Sequence, residues 1–154
     1  MAKIEKDDQG EDIINVSEKV GVRGLNDPND VMVVQGMLKY LTQFTKKWTK
    51  VVLPEPNGTL DKNTQQAIFD YQQHVRTDPN KAPHFWIAKD GSISSFKAGM
   101  QLLYKQQLTI TAMNGDCAML NAALRDGKDH IDAITMRFPF TVGVALGRVN
   151  PLFL

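Results

Sequence analysis

Residues 57–72 have the sequence NGTLDKNTQQAIFDYQ, in which a turn is followed at once by an amphipathic helix. Gly58 allows a backbone bend that a side chain would resist. Asp61 is placed to accept hydrogen bonds from the free N–H groups at the start of the helix. Ala67 and Tyr71 fall on one face, where the small Ala67 side chain permits a second helix to approach closely. The segment therefore predicts a helix that packs tightly against a neighbour.

Helices are also predicted on both sides of this segment. The first follows Asp27, whose side chain can cap it, and Pro28 suits its first position. Its apolar side chains recur at three- and four-residue steps, which predicts a helix that runs to about residue 47. These side chains are Val31, Val34, Leu38, Leu41 and Phe44. A third helix is predicted over residues 94–106, with Leu103 on its apolar face.

The C-terminal third of the chain carries shorter patterns. Apolar and polar side chains alternate over residues 108–113, which predicts one short strand. Helical spacing predicts two further helices, over residues 116–124 and 129–137. Residues 140–147 fit a strand as well as a helix, and the choice between them stays open.

Length and composition limit the class of protein. The chain has 154 residues, of which 42% are hydrophobic and 23% charged, so one domain, or a small domain with a structured extension, is expected around a real core. The net charge of +1 gives no general attraction to nucleic acid or to an anionic membrane. No apolar run approaches the ~18 residues of a membrane span, and the charged start lacks the apolar stretch of a secretory signal. These features predict a protein that is cytoplasmic as synthesised.

The predicted fold is mainly α, with a three-helix core, a C-terminal helical extension and a short strand. Residues 1–26 form an acidic leader, because residues 1–30 carry eight acidic and only four basic side chains. Residues 27–106 form the three-helix domain. Residues 107–154 form an extension that packs on this domain, since their apolar content is too high for a free tail.

Three motifs, taken in order, resemble the peptidoglycan-binding-domain family, a three-helix domain found at the ends of cell-wall hydrolases. The first lies in residues 30–38, where Asp-Val is followed by Val-Gln and then Leu. The second lies in residues 57–72, and the third is the Asp-Gly-Ser-Ile-Ser of residues 90–94. The resemblance covers about residues 20–104. Within it, Gln35 and Gln72 are placed to satisfy backbone groups where the loops cross.

This resemblance implies non-catalytic recognition of peptidoglycan or a related bacterial glycan. The contact surface would be a groove between residues 57–72 and 86–93. Its predicted ligand-binding residues are Asp61, Gln65, Gln72 and Trp86. Another system, such as a secretion apparatus or phage lysis, would have to deliver the protein to the periplasm or wall. The alternative is a protein–protein adaptor or structural subunit of a secretion or phage particle that reuses this fold.

The chain departs from the family pattern at two long insertions and at its third motif. The first insertion, residues 42–56, holds Trp48 among three lysines, which are Lys46, Lys47 and Lys50. An exposed Trp48 would stack on a sugar, whereas a Trp48 packed under the loop would leave only solvated lysines, and the packed alternative is favoured. The second insertion, residues 75–90, contains His84-Phe85-Trp86. The third motif lacks the threonine-led helix start of the family.

The sequence predicts no catalytic residue, metal or cofactor. Glycosidases most often use a glutamic acid as proton donor, but the glutamates here lie in the leader or a proline turn. They are Glu5, Glu11, Glu18 and Glu55. The alternative of a catalytic aspartate pair stays open, although nothing in the sequence singles one out. The histidines His74, His84 and His130 are far apart and have no metal-binding spacing. Cys117 lies on an apolar helix face, which indicates a buried structural thiol.

Overall fold

The computed structural model describes residues 2–44, 47–78 and 86–148. The strands are β1 (Lys3–Lys6), β2 (Asp12–Asn15), β3 (Val20–Gly21) and β4 (Ser92–Ile93). The α-helices are α1 (Pro28–Leu41), α2 (Lys62–Thr77), α3 (Thr109–Leu124) and α4 (His130–Arg137). A π-helix, Pro139–Gly143, follows α4.

The strands form two small antiparallel sheets of two strands each within the described ranges. In the first, β1 pairs with β2 so that Ile4 lies opposite Ile14. In the second, β3 pairs with β4 so that Val20 lies opposite Ile93. The second sheet therefore joins the segment before α1 to the segment that follows the turn at Gly91.

These elements make a mixed α/β fold, so the prediction of a mainly α protein with a three-helix core is wrong. Five helices account for 44% of the described part and accompany the two sheets. Residues 94–106, predicted as the third helix, form no helix. The buried Asn15 side chain donates to the Phe96 carbonyl and accepts from the Phe96 N–H, both at 2.9 Å. Both backbone groups of Phe96 are thereby withdrawn from a helical ladder.

The strand predicted over residues 108–113 is also wrong, because this segment leads into and begins α3. Ile110, Met113 and Cys117 are all fully buried, and their separations of three and four residues match the helical period. An alternating pattern of only six residues fits both the two-residue period of a strand and the 3.6-residue period of a helix. The later turns of α3 continue the helical period, and the segment is therefore helical.

The other helices agree more closely with expectation. The helix predicted over residues 116–124 is the C-terminal part of α3, and the one predicted over 129–137 is confirmed by α4. The region left open, residues 140–147, is helical at its start, where the π-helix lies.

The first two predicted helices begin at their predicted caps, Asp27 and Asp61. α1 ends at Leu41, earlier than the predicted end near residue 47. The indole N–H of Trp48 donates to the Leu41 carbonyl at 2.9 Å. Because the last carbonyls of a helix have no partner within it, this bond stabilises the early end.

One core draws on residues from every part of the described chain. Its fully buried side chains include Ile14, Leu38, Tyr71, Met113 and Ile134. They come in turn from β2, α1, α2, α3 and α4. α3 contacts β2, α1 and α4, so the segment predicted as an extension supplies a central helix.

The buried side chain of Asn114 joins β2 to α3 and α4. Its Oδ1 accepts the Ile14 N–H at 2.8 Å, and its Nδ2 donates to the Ile14 carbonyl at 2.8 Å. The same Nδ2 donates to the Ile110 carbonyl at 2.9 Å. His130 Nε2 lies 2.9 Å from Asn114 Oδ1, and since that oxygen is an acceptor, Nε2 is assigned the proton. The amide thus satisfies the edge of β2 that faces away from β1.

Replacing Asn114 by alanine should lower the free energy of unfolding by at least ~2 kcal/mol, because it leaves two buried backbone groups of Ile14 unpaired. Asn121→Ala is a matched control on the same helix. The Asn121 side chain is buried, but its Oδ1 has no hydrogen-bond partner among the residues that the structure describes, so a loss of less than ~1 kcal/mol is expected. Urea unfolding followed by circular dichroism measures both. Equal losses would show that the Asn114 bonds add nothing.

Stability should also fall on mild acidification because of His130. Burial lowers the pKa of His130 below its ordinary value of 6.5, against the opposing effects of Asp129 and Asp12. The unfolded chain therefore binds this proton at higher pH than the folded chain, so the free energy of unfolding decreases as the pH drops below about 6.5. His130→Gln keeps an N–H donor without the charge and should reduce this decrease between about pH 7.5 and about pH 5. An identical pH dependence in both proteins would assign the effect to other groups.

Candidate functional site

The predicted groove lies where α2 meets the turn at residues 90–92, and Gln72 connects the two. Gln72 Oε1 accepts the Gly91 N–H at 2.9 Å, and its Nε2 donates to the Ser92 carbonyl at 3.0 Å. The same Nε2 donates to Thr109 Oγ1 at 3.0 Å, which adds the start of α3. Gln72 has no exposed surface. The side chain therefore acts inside the fold, as its predicted role towards the loops requires.

Gln65 and Asp61 also bind backbone groups of the chain. Gln65 Nε2 donates to the Gly91 carbonyl at 2.8 Å, so Gln65 and Gln72 meet at the same turn. Asp61 accepts the Thr64 N–H at 2.7 Å and caps α2. Both side chains are partly exposed. Each has a structural partner that a bound glycan would have to share or displace.

The ring of Phe69 fills the space between α2 and the turn. Gly91 has a φ of +73°, and a Cβ at this position would lie 2.3 Å from the Phe69 ring. Glycine is required here both by the left-handed backbone and by the close approach. The two walls of the predicted groove are thus packed against each other.

Gln35 binds the turn at residues 57–59 in the same way that Gln72 binds the turn at residues 90–92. Its Oε1 accepts the N–H groups of Asn57 and Gly58 at 2.9 and 3.0 Å. Its Nε2 donates to the Thr59 carbonyl at 2.9 Å and to Thr64 Oγ1 at 3.1 Å. The expectation that these two glutamines satisfy backbone groups of the loops is confirmed.

Trp86 lies on a separate segment that pairs with residues 105–107. Its N–H donates to the Lys105 carbonyl, and its carbonyl accepts the Gln107 N–H, both at 2.8 Å. Its indole N–H donates to the Tyr104 carbonyl at 3.2 Å. Trp86 is 39% exposed and Tyr104 is 85% exposed. Two aromatic side chains therefore reach the surface on neighbouring strands of backbone.

The segment opposite Trp86 is a tight turn with several exposed apolar side chains. The Leu103 carbonyl accepts the Gln106 N–H at 2.8 Å, while Gln106 Oε1 accepts the Leu103 N–H at 3.1 Å. Lys105 has a φ of +59°, a strained conformation that hydrogen bonds must hold in place. The Lys105 ammonium lies 5.4 Å from the centre of the Tyr104 ring. We call Trp86 together with residues 102–105 the aromatic turn.

Sequence reasoning missed Leu103 and Tyr104 as surface residues. It placed Leu103 on the inner face of a helix that does not form. In the structure Leu103 is 68% exposed. The available signal was the run Leu-Leu-Tyr at residues 102–104, since three consecutive apolar side chains do not fit one stripe of a helix.

Trp48 is packed inside the protein, as favoured from the sequence. It is 8% exposed, and its ring lies edge-on to Tyr71 with the ring centres 5.7 Å apart. Lys47 and Lys50 are exposed. Lys46, His84 and Phe85, which were singled out in the insertions, lie outside the described residues.

The reactive groups of the core are held in unreactive forms. Burial, together with the nearby Asp116 carboxylate, raises the pKa of the Cys117 thiol well above its ordinary value, so the thiol stays protonated. Tyr71 donates its hydroxyl to Asp116 at 2.6 Å, and burial raises the pKa of Tyr71. In residues 2–44, 47–78 and 86–148, no group of three or more histidine, cysteine or acidic side chains is placed to hold a metal ion.

Comparison with known proteins adds no family assignment. The chain matches no protein-family model, no curated protein and no solved structure. The resemblance to peptidoglycan-binding domains therefore depends on the three sequence motifs alone and stays a prediction. Within the described part of the chain, the helices are too short or too polar to cross a bilayer.

The fit between Phe69 and the turn can be tested with two glycine variants. Gly91→Ala and Gly99→Ala both place alanine at a φ near +70°, which costs about 1–2 kcal/mol by itself. Among the described residues other than its chain neighbours, nothing lies within 4 Å of a Cβ at Gly99, whereas a Cβ at Gly91 meets the Phe69 ring. Urea unfolding should show a further loss of about 1–3 kcal/mol for Gly91→Ala. Equal losses would show that the ring moves aside freely.

Proposed function

We propose that this chain is a non-catalytic binding module for peptidoglycan or a related bacterial glycan, and that the aromatic turn makes the central contact. The observation that supports this most is the pair of exposed aromatic side chains, Trp86 and Tyr104, on a hydrogen-bonded turn. Delivery to the wall by another system is part of the same proposal.

The chemistry of the aromatic turn suits a sugar. Aromatic faces stack on the apolar face of a pyranose ring, and the polar edges of tyrosine and tryptophan stay in contact with water. Trp86 and Tyr104 each have only two side-chain torsions, so little conformational entropy is lost on binding. The backbone bonds between Trp86 and residues 105–107 hold the two segments that carry the rings together before the ligand arrives, which lowers the cost further.

We centre the contact on Trp86 and Tyr104 because the side chains of the predicted glutamines already form hydrogen bonds within the protein. Gln72 is fully buried and uses its amide in bonds to three segments. A glycan would have to break these bonds and enter the space that Phe69 occupies. Asp61 and Gln65 are partly exposed, but each already bonds to a backbone group of the chain.

The groups that the aromatic turn presents support a non-catalytic role. Trp86, Leu102, Leu103 and Tyr104 offer stacking and apolar contact, and Lys105 offers a cation. Glycoside hydrolysis requires a pair of carboxyl groups across the scissile bond. The aromatic turn contains no carboxyl group, so it would bind a glycan without cleaving it.

A protein partner is the second candidate, and one observation favours it. Leu102 and Leu103, which directly precede Tyr104 in the chain, are 40% and 68% exposed. An exposed apolar patch that includes tryptophan and tyrosine is typical of a protein–protein interface, where aromatic side chains carry much of the binding energy. An adaptor or a structural subunit of a secretion or phage particle would use the same surface.

Sedimentation with purified peptidoglycan tests the glycan proposal. Tyr104→Ala should weaken wall binding about tenfold, since loss of one stacking contact removes about 1.4 kcal/mol. The Tyr104 side chain is largely exposed, so the variant should keep the wild-type melting temperature. Met119→Ala removes a comparably exposed apolar side chain from α3 and should bind like the wild type. Binding should depend only weakly on salt, because stacking involves no charge and Lys105 is the single charged side chain of the aromatic turn.

Two outcomes would contradict the glycan function. Failure of the wild-type protein to sediment with the wall would favour the adaptor. Unchanged binding by Tyr104→Ala would move any glycan contact away from the aromatic turn.

A further inference from the structure

A cleft of about 380 Å³ lies beside the C-terminal end of α1, and the proposed glycan contact makes no use of it. It is lined by Thr42 and by every residue from 47 to 52. We call it the loop cleft. Its volume falls in the range of sites that hold small ligands, at the lower end.

The loop that forms this cleft is fastened at several points. The Trp48 indole N–H donates to the Leu41 carbonyl at the end of α1, at 2.9 Å. Thr49 Oγ1 donates to Asp70 Oδ2 at 2.7 Å, and Asn63 Nδ2 donates to the Val52 carbonyl at 2.9 Å. Both of these bonds tie the loop to α2. The cleft therefore has preformed walls, which reduces the ordering cost of binding.

Two cations line the cleft without neutralising partners. Lys47 and Lys50 are exposed, and neither forms an ion pair with any residue that the structure describes. Asp70, which anchors the loop, accepts bonds from Thr49 and from Gln66 Nε2, the latter at 2.8 Å. The charge of the two ammonium groups is therefore available to a ligand.

We propose that the loop cleft binds a short acidic peptide segment, with Lys47 and Lys50 contacting its carboxylates. Val51 and Val52 also line the cleft, and Val52 is 82% exposed, which leaves apolar surface for the aliphatic part of the peptide. A bare phosphate would use the lysines but gain nothing from the valines. Charge-assisted bonds to carboxylates are roughly twice as strong as neutral ones, so the lysines should supply most of the selectivity.

This inference goes beyond the proposed glycan function and uses different residues. The loop cleft and the aromatic turn share no side chain. A chain with both sites would recognise two chemical classes, a neutral sugar surface and a carboxylate-bearing peptide. Each site can be tested by variants that leave the other intact.

The test is an NMR titration of the ¹⁵N-labelled full chain with the dipeptide N-acetyl-Glu-Glu. Amide shifts should concentrate in residues 47–52, and N-acetyl-Gln-Gln amide, which lacks the charges, should bind at least about tenfold more weakly. Lys47→Gln with Lys50→Gln should weaken binding of the acidic dipeptide by about tenfold or more. Lys62→Gln with Lys89→Gln is a control with the same change in net charge, on two other exposed lysines, and should bind like the wild type. Tyr104→Ala should also bind the dipeptide normally.

Several results would overturn the assignment. One is an equal affinity for the two dipeptides, and another is equal binding of inorganic phosphate at the same residues. A third is an equal loss of affinity in the control variant, which would indicate general attraction to positive charge. Shifts confined to residues outside 42–52 would place any peptide site elsewhere, whatever the outcome of the wall-binding experiment.

Discussion

The amide group of Gln72 holds together three parts of the chain that no regular element connects. It binds the turn at residues 90–92 and the start of α3, while its own backbone belongs to α2. A buried amide without partners would cost several kcal/mol, so the turn and α3 must take these positions for the core to close. Gln35 applies the same constraint to the turn at residues 57–59. These two side chains therefore fix the positions of both turns in the fold.

The parts of the fold that could be predicted from sequence are those determined by neighbouring residues. Helix caps and three- to four-residue spacing gave α1, α2 and α4, because both signals act within one or two turns. The parts that could not be predicted depend on distant partners. Asn15 removes the backbone of Phe96 from a helix across a separation of 81 residues, and Asn114 completes the edge of β2 across 100. No local pattern reveals such a pairing.

The same distinction between local and distant determinants applies to the candidate site. Trp86 could be singled out as an aromatic side chain in a long insertion, and it is indeed partly exposed. The exposed Tyr104 could not be predicted, because its exposure depends on the absence of the helix that local spacing favours over residues 94–106. The glutamines of the motifs show a further limit of sequence reasoning. A glutamine that anchors a loop and a glutamine that binds a sugar have the same neighbours in sequence, and only burial separates the two roles.

The bond between Asn114 and β2 can form only late in translation, because the two segments lie 100 residues apart in the chain. A ribosome that adds about 5–20 residues per second needs roughly 5–20 s to pass from β2 to Asn114. During this interval the outer edge of β2 has water as its only partner, and the apolar side chain of Ile14 has no α3 to cover it. Nascent chains with open strand edges are prone to pair with one another. The N-terminal hairpin is thus a segment that needs protection until α3 has been synthesised.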